Sequence, residues 1–279
     1  MLGKLIKHEF RATGRIMLPV MAALVALALL ANLSIRGLAG GLSDIPLLRF
    51  VFILIVIFFG VAIIGTAVMA LIIMVSRFYR NLLKDEGYLM FTLPASVHEL
   101  ICSKLVVSLV WFLAASLLTF LVISATGLNL ANTNLEMILQ EIPSWTEIRE
   151  FLEETGIFGH LVRLFFQSVL MTLLGIVVVC LHFYAAMALG HMFSRDKVVL
   201  SIVFYVAISF LFNLMNIGYG GVLGPQIENM VDSSAIETAH SAMTVVSTFL
   251  WYTIIIEAIQ SAVLYLATAL GLKRGLNLG

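Results

Sequence analysis

Residues 50–76 read FVFILIVIFFGVAIIGTAVMALIIMVS. No charged side chain interrupts this run, and about 20 apolar residues in a helix already span the hydrocarbon core of a bilayer. The same kind of stretch recurs at Ile16–Ile35, Leu105–Leu135, Leu164–Ser194, Val198–Gln226 and His240–Leu272, the last broken only by Glu257. Each run is long enough to cross once, and none is clearly long enough to cross twice. Composition agrees: 61% of residues are hydrophobic and 11% charged, with a mean hydropathy of +1.08, far outside soluble globular usage. The expected fold class is all-α, a polytopic membrane protein of six transmembrane helices forming a single transmembrane domain over residues 1–279.

The distribution of charge orients these spans. With both termini cytoplasmic, twelve of the sixteen Lys and Arg fall inside, in residues 4–15, 77–104, 195–197 and 273–274, and only Arg36, Arg49, Arg149 and Arg163 fall outside. An excess of basic residues on the cytoplasmic side is what sets membrane orientation. Ten of the sixteen acids fall outside on the same map. The first apolar run follows a basic stretch, as in a secretory signal, but five more spans come after it, which favours an uncleaved signal anchor. The segments that result are an interfacial helix at 1–15, span 1 at 16–35, span 2 at 48–76, a cytoplasmic segment at 77–104, span 3 at 105–128, an external helical segment at 129–160, span 4 at 161–190, span 5 at 198–217, an external loop at 218–243 and span 6 at 244–272.

The segments outside the spans are patterned. In residues 2–15, Leu2, Leu5, Ile6 and Phe10 share one helical face and Lys4, Lys7, His8, Arg11 and Arg15 another, as in a helix lying in the headgroup region before Pro19 starts the first span. In the cytoplasmic segment Phe78, Tyr79, Leu82 and Leu83 can share a face while Arg77, Arg80, Lys84 and Asp85 point elsewhere, with Gly87 as a stop. After Leu93-Pro94, Ser96 and Glu99 have the spacing of a capping box that begins the helix leading into span 3. Two more such boxes, Thr133 with Glu136 and Ser144 with Glu147, predict short amphipathic helices outside the membrane, the second stopped at Gly156. In the last external loop Gly218, Gly220, Gly221, Gly224 and Pro225 predict an abrupt helix break.

Catalytic chemistry is not legible. Cys102 and Cys180 have neither a disulfide nor a metal partner suggested by spacing, no metal site is expected, and no CxxC, HExxH, GxSxG or GxxxxGK[ST] motif occurs. An enzyme is therefore not expected, and neither is a nucleic-acid partner. Inside the membrane Glu257 stands out, since an ionisable group within a span is a functional-site hypothesis by default. Thr253, Gln260, Ser261 and Thr268 lie within about 60° of it on a helical wheel, so its carboxyl is expected to be hydrogen-bonded within a polar stripe. Ser201, Tyr205, Ser209, Asn213 and Asn216 form a similar stripe on span 5. These groups either satisfy one another in helix packing or line a pathway or gate, and His182 in span 4 is read as a packing group. A proton-carrying Glu257 would suit an ion-coupled secondary transporter, although no acidic or basic companion lies within another span.

One segment carries a family resemblance. YRNLLKDEGYLMFTLPASVHELICSK, Tyr79 to Lys104, is similar to segments in many bacterial type-2 permease subunits of ATP-binding-cassette exporters, and the chain resembles them along its length in topology. The resemblance implies that residues 78–88 form a coupling helix seated in a separate ATPase, with Arg77, Phe78, Tyr79, Arg80, Leu83, Lys84, Asp85, Glu86 and Tyr88 as the contact set. It makes residues 2–15 an elbow helix, with Lys4, Lys7, His8, Arg11 and Arg15 toward membrane lipid. It implies two ATPase copies, a second permease chain, identical or similar, and location in a bacterial plasma membrane. No cofactor is expected in this chain, with ATP and Mg bound by the partner ATPase. The cargo implied is hydrophobic or amphipathic: a peptide, lipid or drug.

Overall fold

The computed structural model describes residues 2–39, 45–83, 95–130, 144–193, 196–232 and 239–275, and no strand occurs among them. Seven α-helices follow in order: α1 Leu2–Ala39, α2 Pro46–Phe78, α3 Val97–Leu130, α4 Trp145–Thr155, α5 Phe158–Gly190, α6 Lys197–Asp232 and α7 Ala239–Gly275. A π-helical turn, Tyr79–Leu83, extends α2. All but α4 are long and apolar enough to cross a membrane, so the chain is a six-span membrane protein. The chain divides into two compact units, residues 1–77 with 102–143 and residues 78–101 with 144–279.

In the first unit α1 is one helix of 38 residues, about 57 Å long at 1.5 Å per residue, against a hydrocarbon core of about 30 Å. The expected break between an elbow and a first span is therefore corrected. Pro19 sits inside the helix, where it removes one backbone hydrogen bond. Continuity comes from the buried stripe Glu9, Thr13, Met17, Leu24, Ala28, Ala31 and Ile35, which repeats at helical spacing from one end to the other. Met17 packs with Ala70 and Ile73 of α2 and with Val107 and Trp111 of α3. Further along, Leu24, Ala28 and Ala31 meet Phe59 and Val122. Asn32 Nδ2 donates to Ala28 O at 2.9 Å and to Thr126 Oγ1 at 3.3 Å, the use of amides expected of helices packed in lipid.

In the second unit the buried residues of α5 are mostly small: Cys180, Ala185, Ala186, Ala188 and Gly190 surround Leu181, Tyr184 and Met187. Small side chains let helix backbones approach. A Cβ placed on Gly271 of α7 would lie 3.0 Å from Ala188 Cβ. At the start of α6 the approach is tighter still, since a Cβ on Gly190 would lie 2.7 Å from Ser201 Cα and nearer yet to its N and Oγ. The capping box of Ser96 and Glu99 is present, with Ser96 N donating to Glu99 Oε2 at 3.0 Å and Glu99 N to Ser96 Oγ at 3.2 Å. The Ser144–Glu147 box opens α4, and Gly156, at φ 60°, closes it in the left-handed conformation. The box at Thr133 and Glu136 lies outside the described residues.

The predicted helix break at Gly218–Pro225 is not found: α6 runs through it to Asp232 with Pro225 inside.

Candidate functional site

Three contacts align α5 with α7. Gln167 Nε2 donates to Ser247 O at 3.2 Å, Gly175 faces Glu257, and Ala188 faces Gly271. The sequence offsets stay between 80 and 83, so the two helices run parallel and in register. Glu257 is the central residue of α7, eighteen residues from Ala239 and eighteen from Gly275, which puts it about 27 Å along the axis from either end. Gly175 lies near the middle of α5.

The carboxyl is not held by the polar stripe of its own helix. Oε1 would lie 3.5 Å from a Cβ at Gly175, so it occupies the notch left by the missing side chain. Oε2 is buried and has no hydrogen-bond partner among the described residues. Thr253 Oγ1 donates instead to Phe249 O at 3.0 Å and Ser261 Oγ to Ala258 O at 2.8 Å. Thr268, fully buried, donates to Leu264 O at 2.8 Å. Back-bonding to the preceding turn satisfies hydroxyls locally, which the helical wheel does not reveal.

One turn from Glu257, buried Gln260 Nε2 donates to Asn216 Oδ1 of α6 at 3.4 Å. The span 5 stripe divides. Asn216 meets α7, whereas Ser209 Oγ lies 3.0 Å from His182 Nε2 of α5, which is 3.3 Å from Tyr205 O as well. The Tyr205 ring lies 4.7 Å from the imidazole and 4.9 Å from Phe183. Asn213 is exposed and donates to Ser209 O at 2.9 Å, and Ser201 to Lys197 O at 2.8 Å. His182 is thus a packed, hydrogen-bonded group, and Glu257 with Gln260 near the middle of α7, joined by Asn216 of α6 through Gln260, forms a polar layer among α5, α6 and α7. No family model, curated protein or solved structure matches this chain.

Of the predicted coupling set, Phe78 is fully buried and stacks on Tyr184, which is fully buried itself, with ring centroids 4.0 Å apart. It belongs to this chain's own core, a correction to its assignment as a partner contact. Leu82 and Asn81 are buried too. Tyr79 meets His191 edge to face at 5.3 Å, Arg77 and Leu83 are half-buried, and Arg80 is exposed. Lys84, Asp85, Glu86 and Tyr88 lie outside the described residues. His191 ends α5, its Nδ1 3.0 Å from Met187 O. Burial pushes its pKa below the ordinary 6.5, a shift opposed by that hydrogen bond and reinforced by Lys197.

Lys4, Lys7, His8, Arg11 and Arg15 are all exposed along one face of α1. The opposite face holds a group the pattern missed. Lys104 Nζ donates to Glu9 Oε1 at 2.7 Å, with side chains only 2% and 7% exposed. Trp111 Nε1 donates to Thr13 Oγ1 at 2.8 Å, Thr13 donates to Glu9 O at 2.8 Å, and Phe10 stacks on Trp111 at 4.9 Å. The legible signal was Glu9 itself, the one acid among the bases of residues 2–15.

Proposed function

We propose that this chain is the membrane-spanning permease subunit of an ATP-driven exporter, moving a hydrophobic or amphipathic cargo across a bacterial plasma membrane. The observation that carries a transport function is the pair Glu257 and Gln260 near the middle of the apolar span of α7, the first with a buried oxygen that has no partner among the described residues and the second bonded to Asn216 of α6. Polar groups at that depth are costly and mark pathways. The ATP-driven half of the proposal rests on the sequence of residues 79–104 and on the lack of a phosphate loop in the chain, so that ATP and Mg belong to a separate ATPase bound in two copies to a permease dimer. Arg80, exposed just after α2, with Lys84, Asp85 and Glu86, supplies the charged surface for that partner.

Copurification of the tagged chain with a phosphate-loop ATPase encoded beside it tests the proposal. The D85K/E86K variant should insert normally and lose that association. A second reading, an ion-coupled carrier, is favoured by the unpartnered Glu257 Oε2. It requires cargo movement in proteoliposomes that follows a pH gradient without ATP and disappears in Glu257→Gln, a result that would overturn the exporter reading.

A further inference from the structure

We infer that Glu257 is the counter-ion site for an amphiphilic monovalent cation, an ammonium or phosphonium group carrying apolar substituents; this names the cargo class and rests on the transport reading above. The carboxyl sits at the centre of α7, with Oε1 toward the notch at Gly175 and Oε2 buried without a partner among the described residues. Among the described residues of α5, α6 and α7 no Lys or Arg lies at that depth. In α5, α6 and α7 the Lys and Arg are Arg163, Lys197, Lys273 and Arg274, all near helix ends. The imidazole of His182 on α5 is engaged by Ser209 and Tyr205.

Charge and size follow from these facts. A single carboxylate balances one positive charge, and a small hydrated ion would lose more hydration there than one acid and two amides return. A bulky cation with dispersed charge loses little on leaving water. Gln260 and Asn216, already bonded to each other, leave an amide oxygen and an amide nitrogen to orient a polar head beside the acid.

The test uses the purified full chain in nanodiscs of zwitterionic lipid, without any ATPase, and equilibrium binding of radiolabelled tetraphenylphosphonium. One saturable site per chain is expected, uncompeted by neutral triphenylphosphine oxide. Glu257→Gln should weaken binding at least about tenfold, Glu257→Asp should retain part of it, and Gly175→Leu should block it by filling the notch. Should the Gln variant fail to purify as a monodisperse species, the wild-type chain still decides. Dicyclohexylcarbodiimide adds to the protonated carboxyl to give an O-acylisourea that rearranges to a stable N-acylurea, read by mass on the Glu257 peptide, and tetraphenylphosphonium should protect that peptide. Absence of saturable binding, unchanged binding by Glu257→Gln, or labelling without protection overturns the assignment. Those failures leave the ATPase copurification untouched, and a failed copurification leaves cation binding untouched.

Discussion

Removing the Lys104 ammonium while keeping Glu9 tests how the amino-terminal part of α1 is held to α3. The pair is 2.7 Å long and almost fully enclosed. At an effective dielectric constant of about 20, two unit charges at that distance attract by about 6 kcal/mol. Desolvation of the two ions, several kcal/mol each, offsets most of this relative to apolar residues of the same size. A single removal is a different matter, because it forfeits the attraction while one desolvated charge stays behind. Lys104→Met and Glu9→Gln should therefore each cost about 3–5 kcal/mol, whereas Glu9→Met with Lys104→Met should recover most of that loss. The exposed Arg149–Glu153 pair, with side chains 74% and 65% exposed, is the control: Arg149→Ala should cost under about 0.5 kcal/mol.

Unfolding free energies from detergent-to-dodecyl-sulfate titration supply the cycle, and a background of Trp145→Phe and Trp251→Phe isolates Trp111 fluorescence. That indole donates to Thr13 and stacks on Phe10, so detachment of α1 should expose it and shift its emission to the red in the single variants but not in the double. Single variants costing under about 1 kcal/mol, or a double variant as damaged as the sum of the singles, would refute the reasoning.

Gly190→Ala should destabilise the chain by about 1–3 kcal/mol, because the new methyl meets Ser201 backbone atoms as well as its hydroxyl, and the backbone cannot swing aside; thermal denaturation in detergent measures it. A cysteine at exposed Glu150 in a chain lacking Cys102 and Cys180 should react with an impermeant thiol reagent in intact cells, and one at exposed Arg80 only after permeabilisation, since among the described residues α3 is the one crossing helix between them; the opposite labelling inverts the orientation. Because burial lowers the His191 pKa, its stability contribution is full above the ordinary 6.5 and is lost as pH falls through the folded value. The midpoint of thermal unfolding should drop between about pH 8 and about pH 5, and His191→Gln should flatten that dependence.

The crossing helices were legible because a bilayer demands long uncharged runs, of which Phe50–Ser76 is the plainest. Caps were legible for a local reason: Ser96 with Glu99 and Ser144 with Glu147 close hydrogen bonds over three residues. What escaped depends on contacts between distant residues or on the solvent. Glu9 and Lys104 are 95 positions apart, and counting Lys104 as one more cytoplasmic base hides its burial. Phe78 looks like an anchor for a partner until Tyr184 is placed against it. Pro19 and the glycines of residues 218–224 signal breaks in water, yet α1 and α6 pass through them; at Pro19, inside an apolar span, lipid penalises the open backbone more than the helix penalises the proline.

Glu9 and Glu257, both with carboxyl oxygens away from bulk water, are treated by the fold in opposite ways. Glu9 has an ammonium at 2.7 Å and closely packed neighbours, so its burial is compensated by contacts that join two helices. Glu257 has a buried oxygen with no partner among the described residues, beside a glycine. An unsatisfied buried acceptor costs about 1–3 kcal/mol. The seam between α5 and α7 does not depend on it, being closed above and below by Gln167 with Ser247 and by Ala188 with Gly271. Packing alone would be better served by a leucine at 257 or a larger side chain at 175. The free oxygen at half depth is therefore a cost that cohesion does not require, and a group that arrives from outside the chain can make use of it.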